Sequence, residues 1–262
     1  MLWRLTLCFF LALFSPLSAM FAGNPAQPAL LNKGIWIGSS SWASFRIGYL
    51  DDWIYKQRFM DEFKLEGVTH TRTFLKLSTY AGIATINFKN RFDLYGIVGS
   101  SRLQIDEEIF TKRALSWSVG AKLMFLKHGN FFLGTDLKYF ETNQKPKYFV
   151  VEGLPYNIVS NYRLKYKEIQ VALGMTYRAW LFAPYINGTY ILTHVEPEPA
   201  VVLVRLPDMD EIVDVESKSI LCKKRFGTTF GLTLIDCCKA SLSLEWRVFN
   251  QNAINVNGEI RF

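Results

Sequence analysis

Alternation runs to the last residue of this chain. In the closing stretch INVNGEIRF, Ile254, Val256, Gly258, Ile260 and Phe262 share one parity, and Asn255, Asn257, Glu259 and Arg261 share the other. Chain ends usually fray and turn polar. A two-residue period held to a terminal aromatic ring describes a paired strand with one apolar and one polar face. The same period recurs upstream: Leu242, Leu244, Trp246 and Val248 in 239–249, Ile169, Val171, Leu173, Met175 and Tyr177 in 168–178, and Leu115, Trp117, Val119 and Ala121 in 114–123. Phe226, Thr228, Phe230, Leu232 and Leu234 mark another strand.

The polar parity separates the architectures that share this period. A soluble barrel or secreted β-sandwich packs one face densely and covers the other with Lys and Glu. Here the polar parity is Ser, Thr, Gly, Asn and Gln with a few charges of both signs, and the apolar parity carries Trp, Tyr and Phe near strand ends. A wet lumen and an aromatic-girdled lipid face account for both. Half of the 262 residues are apolar, which excludes disorder. The mean hydropathy of +0.09 lies between soluble proteins and helical membrane bundles, where transmembrane barrels fall.

The N-terminus reads MLWRLTLCFFLALFSPLSAMFAG. Arg4 is a positive n-region, 5–14 an apolar h-region, Pro16 a break, and Ala19 and Ala22 are small residues suited to cleavage. This is the pattern of a secretory signal peptide, so residues 1–22 are assigned to the leader and 23–262 to the folded domain. Cys8 lies inside the h-region, which argues against a lipoprotein signal. No apolar run of about 18 residues follows Gly23, so no later segment reads as a membrane helix.

The expected fold is all-β: a transmembrane antiparallel up-and-down β-barrel of about 12–16 strands. Short turns at Lys89-Asn90-Arg91, 127–130, 179–181 and 236–239 alternate with longer polar connections at 104–111, 141–161 and 195–199. Bacterial barrels place short turns in the periplasm and long loops outside. Parity then demands an outward strand before 43–50, for which 33–38 is the candidate, giving about 12 strands. A further hairpin of 200–206 and 211–221 across 207–210 raises the count to about 14. The last strand must pair with the first, because open strand edges cannot sit in hydrocarbon. The row Ile254, Val256, Gly258, Ile260 and Phe262 is then the lipid face of the seam and resembles the C-terminal assembly signature of bacterial barrels.

Inward-facing charges would set what a pore admits. By parity the positive lumen candidates are Arg46, Lys56, Arg58, Lys122, Lys138, Arg178, Arg247 and Arg261. The negative ones are Asp93, Asp136, Glu168, Glu245 and Glu259. Eight against five implies a weak anion preference, although such residues also serve as cross-strand pairs that hold register. The net charge of +7 is scattered apart from Lys223-Lys224-Arg225, and an exported chain has no nucleic acid to bind. His70, His128 and His194 are dispersed, which leaves no metal or cofactor site. No nucleophile-elbow, zinc-protease or phosphate-loop motif occurs, and no enzyme activity is expected. Asn187-Gly188-Thr189 matches a glycosylation sequon but falls mid-strand.

Cys222, Cys237 and Cys238 follow the leader. An odd number in an exported chain leaves at least one thiol free or paired between chains. Vicinal Cys237 and Cys238 are poorly placed to bridge each other. They read either as cross-links to other envelope proteins or a sibling subunit, or as reduced thiols at a turn.

Several stretches in order resemble the chlamydial major outer membrane protein (porin) family: GNPAQPAL after the leader, RIGYLDDWIY at the first hairpin, NRFDLYGIVGSS, SWSVGAKLMF, YRAWLFAPYINGTY, and GTTFGLTLIDCCKASLSLEWRVFNQNAINVNGEIRF. The resemblance covers nearly the whole of 23–262. It implies a surface-exposed β-barrel porin passing small solutes, assembled as a homotrimer in the lipid of the cell outer membrane. The chain lacks most of the family's extracellular loop mass and most of its cysteines, as a short divergent member would. A second reading is a surface structural or adhesive barrel with a plugged lumen, binding envelope or host partners through Tyr148, Phe149, Val150 and Tyr156.

Overall fold

The computed structural model describes residues 23–262 except 39–40, 61–63, 66–67, 70–72, 107–108, 152–153, 158–161, 199, 206–209, 216–219 and 223. Among the described residues ten long antiparallel strands form the wall: β1 (Ala43–Met60), β2 (Thr73–Phe88), β3 (Phe92–Ile105), β4 (Ala114–His128), β5 (Phe131–Gln144), β6 (Leu164–Tyr177), β7 (Phe182–Pro197), β8 (Phe226–Asp236), β9 (Ala240–Val248) and β10 (Gln251–Arg261). Each pairs with its sequence neighbours, and β10 pairs with β1 from Arg46↔Arg261 to Gln57↔Gln251, so the sheet closes without an edge.

Among the described residues the wall has ten long strands, with the short Ile220–Cys222 paired to both β1 and β7 at the outer rim, where 12–16 strands are expected. Residues 33–38 do not form an outward strand. Gly34 N–H donates to the Ile37 carbonyl at 2.8 Å, a tight turn that delivers the chain to β1. The expected hairpin exists in part: Ala200–Arg205 and Asp210–Val215 pair only with each other in a two-stranded sheet off the wall, while 220–221, the end of the expected second strand, pairs with the wall. RIGYLDDWIY, expected at a hairpin, runs straight through β1. Asp51 and Asp52 are buried there rather than placed at a turn.

The short turns follow from backbone geometry that matches strand twist. Lys89 and Asn90 (φ 49° and 54°), and Cys237 and Cys238 (φ 48° and 59°), place two left-handed residues in succession, as primed hairpin turns require. Both turns, Gly129 and Trp180 lie at the end that also holds Phe262. By the rule for barrels this end faces the periplasm.

Outward positions are apolar and open, with Val98 62%, Leu173 60% and Leu115 70% exposed, as a lipid-facing surface must be. Aromatic rings crowd both ends of this band. Trp42–Phe88 (5.5 Å) and Phe131–Tyr177 (4.8 Å) lie at the periplasmic end, and Trp117–Tyr139 (5.4 Å) and Tyr190–Phe226 (5.0 Å) at the other. Above the outer rim Pro146–Val151 pairs with Leu154–Asn157 and with Ile109–Thr111, where Tyr148 stacks on Phe110 at 4.8 Å. The side chains of Phe149, Val150 and Tyr156 lie outside the described residues.

Inside, two apolar layers bracket a polar middle. Ile54, Leu75, Leu77, Leu103, Ile105, Phe140, Leu164, Tyr166 and Val195 fill the outer end. Ala26, Leu30, Leu31, Met124, Phe132, Ala183 and Ile235 fill the periplasmic end.

Candidate functional site

Residues 23–31 do not join the wall; they thread into it. Asn24-Pro25 starts a turn in which the Asn24 side chain accepts from Ala26 N–H at 2.9 Å and its carbonyl accepts from Gln27 N–H at 3.1 Å. Proline presets the second position of such a turn. Pro28 then occupies the first turn of α1 (Gln27–Leu30), where a missing N–H costs nothing. The resulting compact strap is buried, with Asn24 and Gln27 at 2% exposure and Leu30 and Leu31 at 0%.

Its contacts to the wall are mostly polar. Asn24 Nδ2 donates to Thr233 Oγ1 at 3.0 Å, and Thr176 Oγ1 donates to Asn24 Oδ1 at 2.7 Å. Gln27 Nε2 donates to Ser241 Oγ at 2.7 Å, Asn187 Nδ2 to the Gly23 carbonyl at 3.0 Å, and Gly23 N–H to Glu245 Oε2 at 2.7 Å. Asn87 Nδ2 donates to the Pro28 carbonyl at 3.2 Å, and the Arg261 guanidinium donates to the Leu31 carbonyl. Gly134 makes room for the strap: a Cβ there would meet the Pro25 carbonyl at 2.5 Å. The strap leaves along the seam, where Ile35 N–H donates to the Arg261 carbonyl at 3.0 Å and Trp36 packs on Phe262 at 5.3 Å.

Ten of the thirteen charges assigned to the lumen by parity do face inward: Arg46, Asp93, Lys122, Asp136, Lys138, Glu168, Glu245, Arg247, Glu259 and Arg261. Water scarcely reaches them; the most exposed, Lys122 and Glu259, show 3%. Seven of them are held in ion pairs, while Glu168 accepts from hydroxyls and Arg261 donates to the Leu31 carbonyl and to Asn90. Arg46 bridges Asp93 and Glu259, the latter at 2.7 Å. Arg247 binds Asp52 and reaches Glu245 at 3.5 Å, and Lys122 lies 3.9 Å from Asp136. Tyr95 and Tyr185 each lie flat across a glycine of the next strand, Gly120 and Gly231. Their hydroxyls donate to carboxylates one strand further on: Tyr95 to Asp136 at 2.7 Å and Tyr185 to Glu245 at 3.1 Å. Near the outer end Tyr166 and Thr193 donate to Glu168 at 2.6 and 3.1 Å.

Lys56 and Arg58 do not line the lumen. A register shift between Ile54 and Lys56 inverts the parity of β1, so that Gln57 turns inward and the two cations outward, with Lys56 Nζ 4.1 Å from the centre of the Phe74 ring. Arg178 lies beyond the end of β6, in the turn before β7, and donates to Cys238 Sγ at 3.0 Å. With these three removed and Asp52 added, the inward set is five cations and six carboxylates, so the expected anion preference loses its basis. Cys237 and Cys238 carry free thiols in the β8–β9 turn, and the Cys222 side chain lies outside the described residues. Ile254, Val256, Gly258 and Ile260 face outward between buried Asn255, Asn257, Glu259 and Arg261.

Sequence reasoning missed Asp52, the tyrosine pair and the strap. Asp52 shares the inward parity of Arg46 and was legible once β1 is read as continuous. The strap's signal was GNPAQPAL itself, a turn-rich apolar stretch without alternation.

A closed barrel with an apolar girdled exterior and a polar interior defines an outer-membrane β-barrel protein, and its location is the outer membrane. No protein-family model matches the chain. It is 22% identical over 377 aligned positions to the major outer membrane porin, serovar B, of Chlamydia trachomatis, covering 95% of this chain and 96% of that protein. It is likewise 22% identical over 370 positions to the major outer membrane porin of Chlamydia abortus, covering 94% and 95%. The similarity is distant but spans both proteins. The alignment is longer than this chain's 262 residues, so the relatives' extra length falls in gaps within it. Among solved structures, the translocator domain of the autotransporter NalP from Neisseria meningitidis superposes with a TM-score of 0.47 at 8% identity, covering 85% of this chain and 89% of that one. The β-domain of the Bordetella autotransporter BrkA gives 0.46 at 10% identity, covering 85% and 99%.

Proposed function

We propose that this protein is a porin-type outer-membrane barrel, passing small hydrophilic solutes without chemistry, whose passage is held closed by its own strap 23–31. The observation that carries the reading is the character of the strap's seat. Its polar part is made of Thr176, Asn187, Thr233, Ser241 and Glu245, groups that water could serve equally well if the strap withdrew, and only Ala26, Leu30 and Leu31 add apolar contact, with Met124, Phe132, Ala183 and Ile235. Similarity to porins over the whole chain supports the same reading. Its partners would be the outer-membrane lipid and sibling subunits in a trimer, with the exposed Cys237 thiol available for cross-links to other envelope proteins.

Planar-bilayer recordings of the refolded protein test this. The native chain is expected to conduct in rare openings, and an Asn24→Ala, Gln27→Ala variant to conduct more often. A folded variant with no conductance above the bare bilayer would overturn the reading. A specific observation favours a second one, a permanently closed structural barrel: Ile54, Leu75, Phe140, Leu164 and Tyr166 pack in an apolar layer at the outer end that does not depend on the strap. That reading expects no conductance from either protein.

A further inference from the structure

The outer face of β5–β7 changes character abruptly near the outer rim. From Tyr177 to Ile169 every outward side chain of β6 is apolar or aromatic. Eight steps at about 3.3 Å make roughly 26 Å along the strand, or about 20 Å along the bilayer normal at a tilt of about 40°. The next outward residues are Lys167 and Lys165. Register sets Glu141, Lys167 and His194 side by side across three strands, with Lys165 beside Glu196 one step nearer the rim. Lys167 Nζ lies 2.6 Å from Glu196 Oε2, Lys165 Nζ 3.3 Å from Glu141 Oε1, and His194 Nδ1 3.6 Å from Glu196 Oε1. One step below, Tyr139, Ile169 and Leu192 form an apolar row in register.

Between these rows and Arg225, which donates to Tyr190 Oη at 3.5 Å, lies a cleft of about 290 Å³. Its floor is apolar (Tyr139, Ile169, Leu192) and its upper edge carries Lys167, His194 and Arg225. Of the charged residues that line it, Lys167 and Arg225 present their cations, while the carboxylate of Glu168 is buried on the inner face of the wall with Tyr166 and Thr193. The cleft thus sits where acyl chains give way to headgroups, apolar below and cationic above.

We propose that this cleft binds the phosphorylated headgroup of an outer-leaflet lipid. The phosphate lies between Lys167 and Arg225, and the first part of an acyl chain lies on Ile169 and Leu192. Guanidinium and ammonium donors suit phosphate oxygens, and a free phosphate would leave the apolar floor unused. The proposal rests on the outer-membrane location and not on whether the lumen conducts.

Native mass spectrometry of the refolded protein in neutral detergent, titrated with diphosphoryl lipid A, with its dephosphorylated form and with inorganic phosphate, tests it. The phosphorylated lipid is expected to remain bound, and neither of the others to do so at equal concentration. Removing two cations in a Lys167→Gln, Arg225→Gln variant should weaken retention roughly thirty-fold, at about 1 kcal/mol for each cation. Removing a competing carboxylate in Glu196→Gln should strengthen it, which keeps the test alive if the double variant fails to fold. Equal retention of lipid by the folded variants and the native chain would overturn the proposal. So would equal retention of the dephosphorylated lipid, and binding of inorganic phosphate alone would convert the cleft to a simple anion site.

Discussion

Asn24→Ala should free the strap while leaving the wall standing. The Asn24 side chain makes three hydrogen bonds: to Thr233 Oγ1 (3.0 Å), from Thr176 Oγ1 (2.7 Å) and from Ala26 N–H (2.9 Å). Two of them reach the wall, and at about 1 kcal/mol net for each buried bond the loss is about 2 kcal/mol. Since 1.4 kcal/mol is tenfold in an equilibrium constant, the released fraction of the strap rises roughly 30-fold. Thr233 retains its 2.9 Å contact with Ser243, so the wall loses little. Hydrogen–deuterium exchange followed by mass spectrometry reads the effect directly, on a peptide covering 23–31 and on peptides from β8 and β9. The expected result is exchange about 30-fold faster in the strap and unchanged in the strands. Unchanged exchange in the strap would refute its attachment through Asn24. Equal acceleration in strap and strands would refute its independent release.

Three further outcomes follow from the geometry. Phe262→Ser removes the ring that packs on Trp36 at 5.3 Å at the periplasmic end of the seam; the amount of folded, heat-modifiable protein in the outer membrane should fall while export continues, and unchanged amounts would contradict a role in assembly. Gly231→Val places a side chain into the Tyr185 ring and breaks its 3.1 Å bond to buried Glu245, which should lower the urea midpoint in lipid vesicles by the equivalent of about 2 kcal/mol, whereas Gly188→Val, with its nearest neighbour 3.9 Å away, should be tolerated. A hydrogen bond to Asp236, and that carboxylate's charge, hold the Cys237 thiol above its ordinary pKa. Less thiolate is therefore present at neutral pH, so maleimide labelling of a Cys222→Ser, Cys238→Ser chain should be slow at pH 7, rise as pH increases, and quicken at pH 7 when Asp236 becomes Asn.

Parity was legible wherever a strand runs without interruption. Leu242, Leu244 and Trp246 against Ser243, Glu245 and Arg247 assign β9 to its two faces correctly, because side chains of a pleated strand alternate whatever the strand pairs with. At Ile54/Lys56 it failed. A bulge is a mismatch between two partners, β2 and β10, and cannot be read from β1 alone. The Asp51-Asp52 pair misled for a related reason. Two acidic residues look like a turn until a distant Arg247 supplies the charge that lets Asp52 sit inside.

By itself the sequence determined an exported, antiparallel barrel closed at its last strand, with a polar interior and an aromatic-girdled exterior. Those properties follow from a two-residue period and from the chemistry of each face. Only the tertiary structure decided whether that interior holds water. Lumen width grows with the number of strands, and the ten long strands described leave a bore narrow enough for the ion pairs of Arg46 and Arg247 and the rings of Tyr95 and Tyr185 to crowd it together with residues 23–31. Strand number depends on which segments pair around the whole circumference, a sum over the chain that no local pattern contains.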